Sequence, residues 1–178
     1  EKLLLVDSLH PSDFYLWLYK TRSLKGIEFC SNITYLNLPN ENINDIKPLS
    51  NLIRLETIYL YQNFNLSDIS PLYNLKNLKK LFLYSNPIKD ISGLGSLTKL
   101  TELYLEYTQI RELNSLSSLT NLEILYLSGV GLGIIFNSIE PLRNLNKLRH
   151  LHLTGGGITD LMPLEKLTEL ELLDVSYI

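Results

Sequence analysis

Residues 78–94 read LKKLFLYSNPIKDISGL, and this stretch decides the fold. It opens with the triplet Leu-x-x-Leu-x-Leu and closes with the signature Asp-Ile-x-Pro-Leu, in which glycine here replaces the proline. The signature recurs, with minor changes, at residues 45–49, 68–72 and 160–164. Triplets begin at residues 33, 55, 78, 100, 122, 148 and 170, so copies lie 22 or 23 residues apart except for one interval of 26. Seven copies in register predict an array of structural repeats.

One repeat of this kind cannot fold alone, because its strand and its turn carry apolar side chains on one side only. Stacked copies bury those side chains against one another, so that leucines at equivalent positions form columns through the interior. The strands then lie side by side as a parallel sheet. Each buried leucine or isoleucine contributes roughly 1.5–3 kcal/mol relative to exposure, so the columns are expected to dominate the stability.

Composition excludes several classes of protein. The 178 residues are 45% hydrophobic with a net charge of −3, which argues against disorder. A disulfide framework needs paired cysteines, and Cys30 is alone. A nucleic-acid partner is not expected, because the pI of about 5.6 does not fit a phosphate-binding surface. No run of eighteen apolar residues occurs, so membrane insertion is not expected either.

The repeat resembles the 22-residue leucine-rich repeat of bacterial internalins and of the protein phosphatase 1 regulatory subunit family. The resemblance covers residues 23–178 and rests on the triplets and the Asp-Ile-x-Pro-Leu signature. It implies an α/β, right-handed, curved solenoid with a parallel β-sheet on the concave face and short 3₁₀ or helical segments on the convex face. It also implies a protein-binding role rather than an enzymatic one, without a cofactor.

The expected organisation is a single domain. Residues 1–22, with a helix start at Pro11-Ser12-Asp13, are predicted to form an N-terminal helical cap. Residues 23–178 are predicted to form the solenoid, as a half repeat followed by about six and a half repeats. In the half repeat, Cys30 is expected to be a small buried hydrophobe. The chain stops inside the seventh repeat, which favours a trimmed C-terminus over a last strand that closes the array.

Three departures from the repeat pattern lead to predictions about the structure. The family places asparagine three residues after the third leucine, and here only Asn63 and Asn86 match, so less regular turns are expected elsewhere. One extra residue near Phe64 predicts a bulge. Four extra residues within 133–138 bring apolar side chains that either fold back over the core or form a second contact surface, and Phe136 is one of them.

Side chains between the leucines are predicted to point out of the concave sheet, because strand residues alternate between faces. The position between the second and third leucine holds four consecutive aromatics, here named the aromatic ladder: Tyr59, Phe82, Tyr104 and Tyr126. Other rings flank them, and the expected partner-binding surface is Tyr35, Tyr59, Tyr61, Phe82, Tyr84, Tyr104, Tyr107, Tyr126, His150 and His152. The alternative is purely structural, since cross-strand aromatic pairs stabilise a sheet whether or not anything binds.

Catalytic interpretations are weak. His150 and His152 face the same way on one strand, and Asp174 could complete a three-ligand metal site, but polar contacts with a partner or pH-dependent binding suit the two histidines better. Glu102 and Glu106 lie on neighbouring concave columns without the enclosed apolar pocket that would raise the pKa of one of them for acid catalysis. No nucleotide-binding or Ser-His-Asp motif is present. We therefore predict no catalytic residue and no metal.

The favoured function is protein recognition through the concave aromatic surface, as in a bacterial secreted or cell-surface module similar to the internalins. An intracellular regulatory or targeting subunit that docks an enzyme is the first alternative, and it would be cytoplasmic. A substrate-selecting domain of a larger enzyme is the second. The expected partner is a protein, and the expected oligomeric state is a monomer.

Overall fold

The computed structural model describes residues 23–127, 136, 138–155 and 157–176. Within them the chain forms one curved, unclosed parallel sheet whose strands follow the chain order. Every strand is three residues long, as expected for the short straight part of a 22-residue coil. The strands are β1 (Tyr35–Asn37), β2 (Thr57–Tyr59), β3 (Lys80–Phe82), β4 (Glu102–Tyr104), β5 (Ile124–Tyr126), β6 (His150–His152) and β7 (Leu172–Asp174).

A short 3₁₀ segment precedes each strand on the opposite side of the coil. Three of these 3₁₀ segments begin within a copy of the Asp-Ile-x-Pro-Leu signature, at residues 45–49, 68–72 and 160–164. The carboxylate Oδ1 of Asp45 accepts the backbone N–H of Lys47 at 2.9 Å, and proline occupies one of the first two helical positions, where its missing N–H costs nothing. The segments are Ile27–Phe29, Lys47–Leu49, Ser70–Leu72, Leu94–Ser96, Asn114–Ser118, Glu140–Leu142 and Met162–Leu164.

Gly93 stands where three other copies of the signature have proline. The ring of Tyr73 lies against this glycine, and a Cβ built on Gly93 would be 2.0 Å from Cδ2 of that ring. The hydroxyl of Tyr73 donates to the backbone carbonyl of Asp90 at 3.3 Å. The glycine in residues 78–94 is therefore explained by the close approach of an aromatic ring from the preceding coil.

The core lies between the strands and the 3₁₀ segments and consists almost wholly of leucine and isoleucine. The middle residue of each of β1 to β6 is buried, as are most aliphatic residues of the turns and of the 3₁₀ segments, whereas Ile27 and Leu164 in the first and last segments are only partly buried. The middle residues pair across the sheet in one register: Leu36, Ile58, Leu81, Leu103, Leu125, Leu151 and Leu173. The predicted leucine columns and the predicted solenoid are thus confirmed.

Buried Asn63 satisfies four backbone groups with one side chain. Its Nδ2 donates to the carbonyls of Leu38 and Leu60 at 2.9 and 2.8 Å, and its Oδ1 accepts the N–H groups of Glu41 and Ile43 at 3.0 and 2.9 Å. The amide therefore joins two successive turns that no ladder hydrogen bond reaches. This is the role that the repeat pattern assigns to asparagine.

Asn86 makes only half of these bonds. Its Nδ2 donates to the carbonyls of Leu60 and Leu83, but its buried Oδ1 has no partner. The extra residue near Phe64 explains the difference, because it forms a tight turn in which the N–H of Leu66 donates to the carbonyl of Asn63 at 2.7 Å. In the preceding repeat the equivalent N–H, that of Ile43, binds the asparagine.

The N-terminal residues, the insertion at 133–138 and Cys30 are each the subject of a prediction. The predicted cap over residues 1–22 lies outside the described residues, as do residues 133–135 and 137 of the insertion. Phe136 is buried in the core, as the fold-back interpretation expects for this residue. Cys30 is half-buried, so the prediction of a buried thiol is wrong: it ends a 3₁₀ segment that has no buried residue of its own.

The asparagine geometry predicts unequal costs of substitution. Asn63→Ala leaves four backbone groups without their side-chain partner and is expected to cost about 2–6 kcal/mol, at about 0.5–1.5 kcal/mol for each lost hydrogen bond. Asn86→Ala also removes an unsatisfied oxygen and is expected to cost less than half as much. Urea unfolding of both variants measures the difference, and equal losses would contradict this account of the turns.

Candidate functional site

The aromatic ladder forms a continuous stack along the concave face. Sheet register places its four rings in one column, and the centroids of successive rings lie 4.1, 4.4 and 4.8 Å apart with interplanar angles of 11°, 13° and 27°. His152 extends the stack, since its ring centroid lies 3.9 Å from that of Tyr126. Each of these side chains is half-buried. This agrees with the outward orientation that the alternation of side chains along a strand predicts.

A second, shorter stack lies beside the ladder. The rings of Tyr61 and Tyr84 are 4.4 Å apart and nearly parallel, and Tyr61 meets Tyr59 edge-on at 6.4 Å. At the other side of the ladder Tyr35 contacts Tyr59 at 5.6 Å with a tilt of 51°. The structure therefore brings six tyrosines and one phenylalanine of the predicted surface into mutual contact.

Stacking determines what the ladder can offer to a partner. Both faces of Phe82, Tyr104 and Tyr126 are covered by neighbouring rings, so a partner meets ring edges and hydroxyl groups rather than open ring faces. Burial, followed by the charge of Glu102, raises the pKa of Tyr104 to about 12, so its hydroxyl stays protonated at any physiological pH. The surface thus combines apolar edges with hydrogen-bonding groups, as protein-binding sites commonly do.

The two histidines lie at the C-terminal end of this face and each contacts a different carboxylate. His152 Nδ1 lies 3.4 Å from Asp174 Oδ2, and His150 Nε2 lies 3.7 Å from Glu171 Oε2. Arg149 also binds Glu171, at 2.6 Å. Among the described residues no group of His, Cys, Asp and Glu is arranged to hold a metal ion. The pair of histidines therefore supplies polar contacts beside the rings.

Charges on the central strands are mostly paired. Lys80 Nζ lies 2.7 Å from Glu102 Oε1 across β3 and β4, directly beside the ladder. Glu106 differs, because its Oε2 is buried and has no hydrogen-bond partner. Burial raises the pKa of Glu106 to about 7, partly offset by a backbone hydrogen bond. The expectation that neither glutamate has a raised pKa is therefore wrong for Glu106, since neighbouring side chains desolvate it even on an open face.

Tyr107 lies just beyond the two stacks in an unfavourable backbone conformation. Its φ is +54°, and its side chain is 51% exposed. The same turn position has a positive φ in four other repeats, which use Asn40, Gln62, Ser85 and Gly155. Bulky residues are rare at positive φ, because Cβ crowds the backbone carbonyl. A large ring kept exposed at a strained position favours a role in binding over one in stability.

The strain at Tyr107 predicts a stabilising substitution. Asparagine tolerates positive φ better, so Tyr107→Asn is expected to raise the free energy of unfolding by up to about 1 kcal/mol. Tyr107→Phe retains both the ring and the strain and is the matched control, with no gain expected. Guanidinium unfolding of both variants measures the effect. A loss of stability in Tyr107→Asn would show that the ring packs against the fold.

No helix among the described residues is long and apolar enough to cross a membrane. Residues 53–96 and 76–118 match the family model described as Leucine Rich repeats (2 copies). No curated protein matches the sequence. The repeats that the family model recognises are those that carry most of the aromatic ladder.

Solved structures extend the likeness over most of the chain. An internalin from Listeria monocytogenes is 34% identical with a TM-score of 0.80, and the match covers 87% of this chain and 44% of that one. Internalin C2 from the same species is 26% identical with a TM-score of 0.68, over 88% of this chain and 77% of that one. A TDR receptor, at 21% identity and a TM-score of 0.69 over 84% and 27% of the two chains, shares the fold.

This chain spans less than half the length of the first of these internalins. Folds of this kind are typically non-enzymatic binding scaffolds, and the similarity to internalins supports a protein-interaction module. The triplets, the parallel sheet with its 3₁₀ segments and the structural neighbours agree with one another. The described residues form leucine-rich repeats, and the chain is similar to the internalins.

Proposed function

We propose that this solenoid binds a protein partner through its concave aromatic surface and has no catalytic activity of its own. The observation that carries the proposal is the continuous stack formed by the aromatic ladder and His152 on an open, half-exposed sheet face. Soluble monomers seldom expose contiguous apolar surface of this kind without a use for it.

Physical chemistry supports a protein as the occupant. Tyrosine offers a large contact area, a polar tip and only two side-chain torsions, so little conformational entropy is lost on binding. Ring faces inside the stack are already covered, which disfavours ligands that bind by lying flat on an aromatic face. A folded protein surface can meet ring edges and hydroxyls along the full length of the ladder.

The likeness to internalins further favours recognition at a bacterial surface or after secretion. A monomer suits this proposal, because the concave face then stays open to the partner. The Lys80–Glu102 ion pair and the histidines would lie at the margin of the contact, where polar groups contribute specificity more than affinity.

The test combines Tyr59→Ser, Tyr104→Ser and Tyr126→Ser in one variant. Wild type and variant are used for affinity capture from candidate host and self lysates, and captured proteins are then purified and titrated individually. We expect the triple variant to remain folded by circular dichroism and to lose at least a hundredfold in affinity, since hot-spot tyrosines contribute about 2 kcal/mol or more each.

A matched control removes exposed apolar side chains away from the concave face, by Ile53→Ser, Phe64→Ser and Met162→Ser. These residues are 59%, 64% and 61% exposed, so the control removes comparable apolar surface. Binding should survive in the control. Capture that persists in a folded Tyr59/Tyr104/Tyr126 variant would defeat the proposal, and unfolding of that variant would favour a purely structural role for the rings.

A further inference from the structure

Glu106 occupies the place where a third ring would continue the short stack. Tyr61, Tyr84 and Glu106 are equivalent positions of three successive repeats, one residue beyond the third leucine. The N–H of Ser85 donates to the carbonyl of Glu106 at 2.8 Å, which keeps the two coils in register there. Among the described residues the ring of Tyr84 stacks on Tyr61 alone, so the side of Tyr84 toward Glu106 has no stacking partner.

The carboxyl group of Glu106 is not neutralised by the protein around it. Its Oε2 exposes less than 1 Å² and has no hydrogen-bond partner, and Glu106 takes part in none of the ion pairs among the described residues. Lys80, the cation of β3, is bound to Glu102 at 2.7 Å.

The ionisable groups on which the charge of Glu106 acts are phenols, those of Tyr84 and Tyr104. Tyr61 follows β2, Tyr84 follows β3, Tyr104 ends β4 and Tyr126 ends β5, while Tyr107 comes next along the chain. Residues 128–135 follow β5 and contain no ionisable side chain. No described group therefore supplies a positive charge to this carboxyl group, which continues the column of Tyr61 and Tyr84 beside the aromatic ladder.

We propose that Glu106 is the anchor for an arginine side chain of the protein partner, with the guanidinium lying against the ring of Tyr84. This inference rests on the proposed function, since it names the chemistry that the concave surface selects. A guanidinium is planar, stacks on aromatic rings and pairs with a carboxylate. An arginine side chain can therefore both stack on the ring of Tyr84 and pair with the carboxylate of Glu106, whereas an ammonium group supplies only the positive charge.

The proposal predicts a defined pH dependence of binding. In the free protein the pKa of Glu106 is raised to about 7 by burial, so at lower pH the group is largely protonated and neutral. A bound guanidinium favours the carboxylate and lowers that pKa, so binding releases a proton. Affinity must therefore rise as the pH increases toward about 7 and level off above it, by up to about tenfold per pH unit below the plateau. A Glu106 that acted instead as a neutral hydrogen-bond donor would show the opposite sign.

The experiment uses acetyl-arginine methylamide as the probe and the neutral isostere acetyl-citrulline methylamide as its control. Carboxyl NMR signals of ¹³C-labelled glutamate report the pKa of Glu106, and the ring signals of Tyr84 report stacking. We expect saturating arginine probe to lower the pKa of Glu106 and to shift the Tyr84 ring signals, while the citrulline probe does neither.

Glu106→Gln is the test variant, and Glu123→Gln, an exposed glutamate before β5, is the matched control. Above pH 7, Glu106→Gln should have a melting temperature no lower than that of wild type. A carboxyl group with a raised folded-state pKa stabilises the fold when it is protonated, and this contribution is lost as the pH rises. Glu106→Gln should weaken binding of the arginine probe at least tenfold, and Glu123→Gln should leave it unchanged. Equal binding of both probes, or arginine binding that survives Glu106→Gln, would overturn the inference.

The two proposals fail in distinguishable ways. A captured partner that needs the tyrosines of the ladder but binds Glu106→Gln at full affinity would leave the proposed function standing and reject the arginine anchor. A folded Tyr59/Tyr104/Tyr126 variant that keeps its partner would reject the proposed function, and the arginine anchor as a feature of partner binding with it.

Discussion

The rest of the structure depends on the burial of one column of leucine and isoleucine side chains, formed by the middle residues of the strands. The middle residues of the strands pair from coil to coil without a slip, and those of β1 to β6 are buried. A shift of one residue in any pair would turn the apolar side chains outward, so the register is enforced by the hydrophobic effect. Hydrogen bonds of the short strands and of the Asn63 side chain then satisfy backbone N–H and C=O groups between successive coils.

The same constraint creates the surface that we propose as the binding site. Because side chains alternate along a strand, a column of leucines facing inward places a column of neighbours facing outward, and in this chain those neighbours are aromatic. Strand spacing brings their rings into stacking distance, so the rings are already packed against one another without a partner. A preorganised surface loses little entropy on binding, which suits a recognition module. Glu106 takes the next position in the column of Tyr61 and Tyr84, so the concave face has a carboxyl group there instead of a ring.

Repeat spacing was sufficient to predict the solenoid, the strand positions and the outward columns, because each depends on a periodicity that the sequence displays directly. Features that depend on contacts between coils were not predictable in this way. The orphan Oδ1 of Asn86 follows from a turn one coil earlier, and Gly93 is explained by a ring from the preceding coil. The raised pKa of Glu106 depends on desolvation by neighbouring side chains. Positive φ at Tyr107 could have been inferred from Gly155, which occupies the same turn position.

The orientation of neighbouring residues in one strand tests the central claim most directly. Phe82→Tyr adds a hydroxyl at the edge of an outward ring, and the account predicts a free energy of unfolding within about 0.5 kcal/mol of wild type. Leu81→Ala, one residue earlier, should lose about 2–5 kcal/mol because Leu81 is completely buried. A loss of about 2 kcal/mol or more in Phe82→Tyr, the cost of burying an unpartnered hydroxyl, would contradict the account, because it would place the ring in the core.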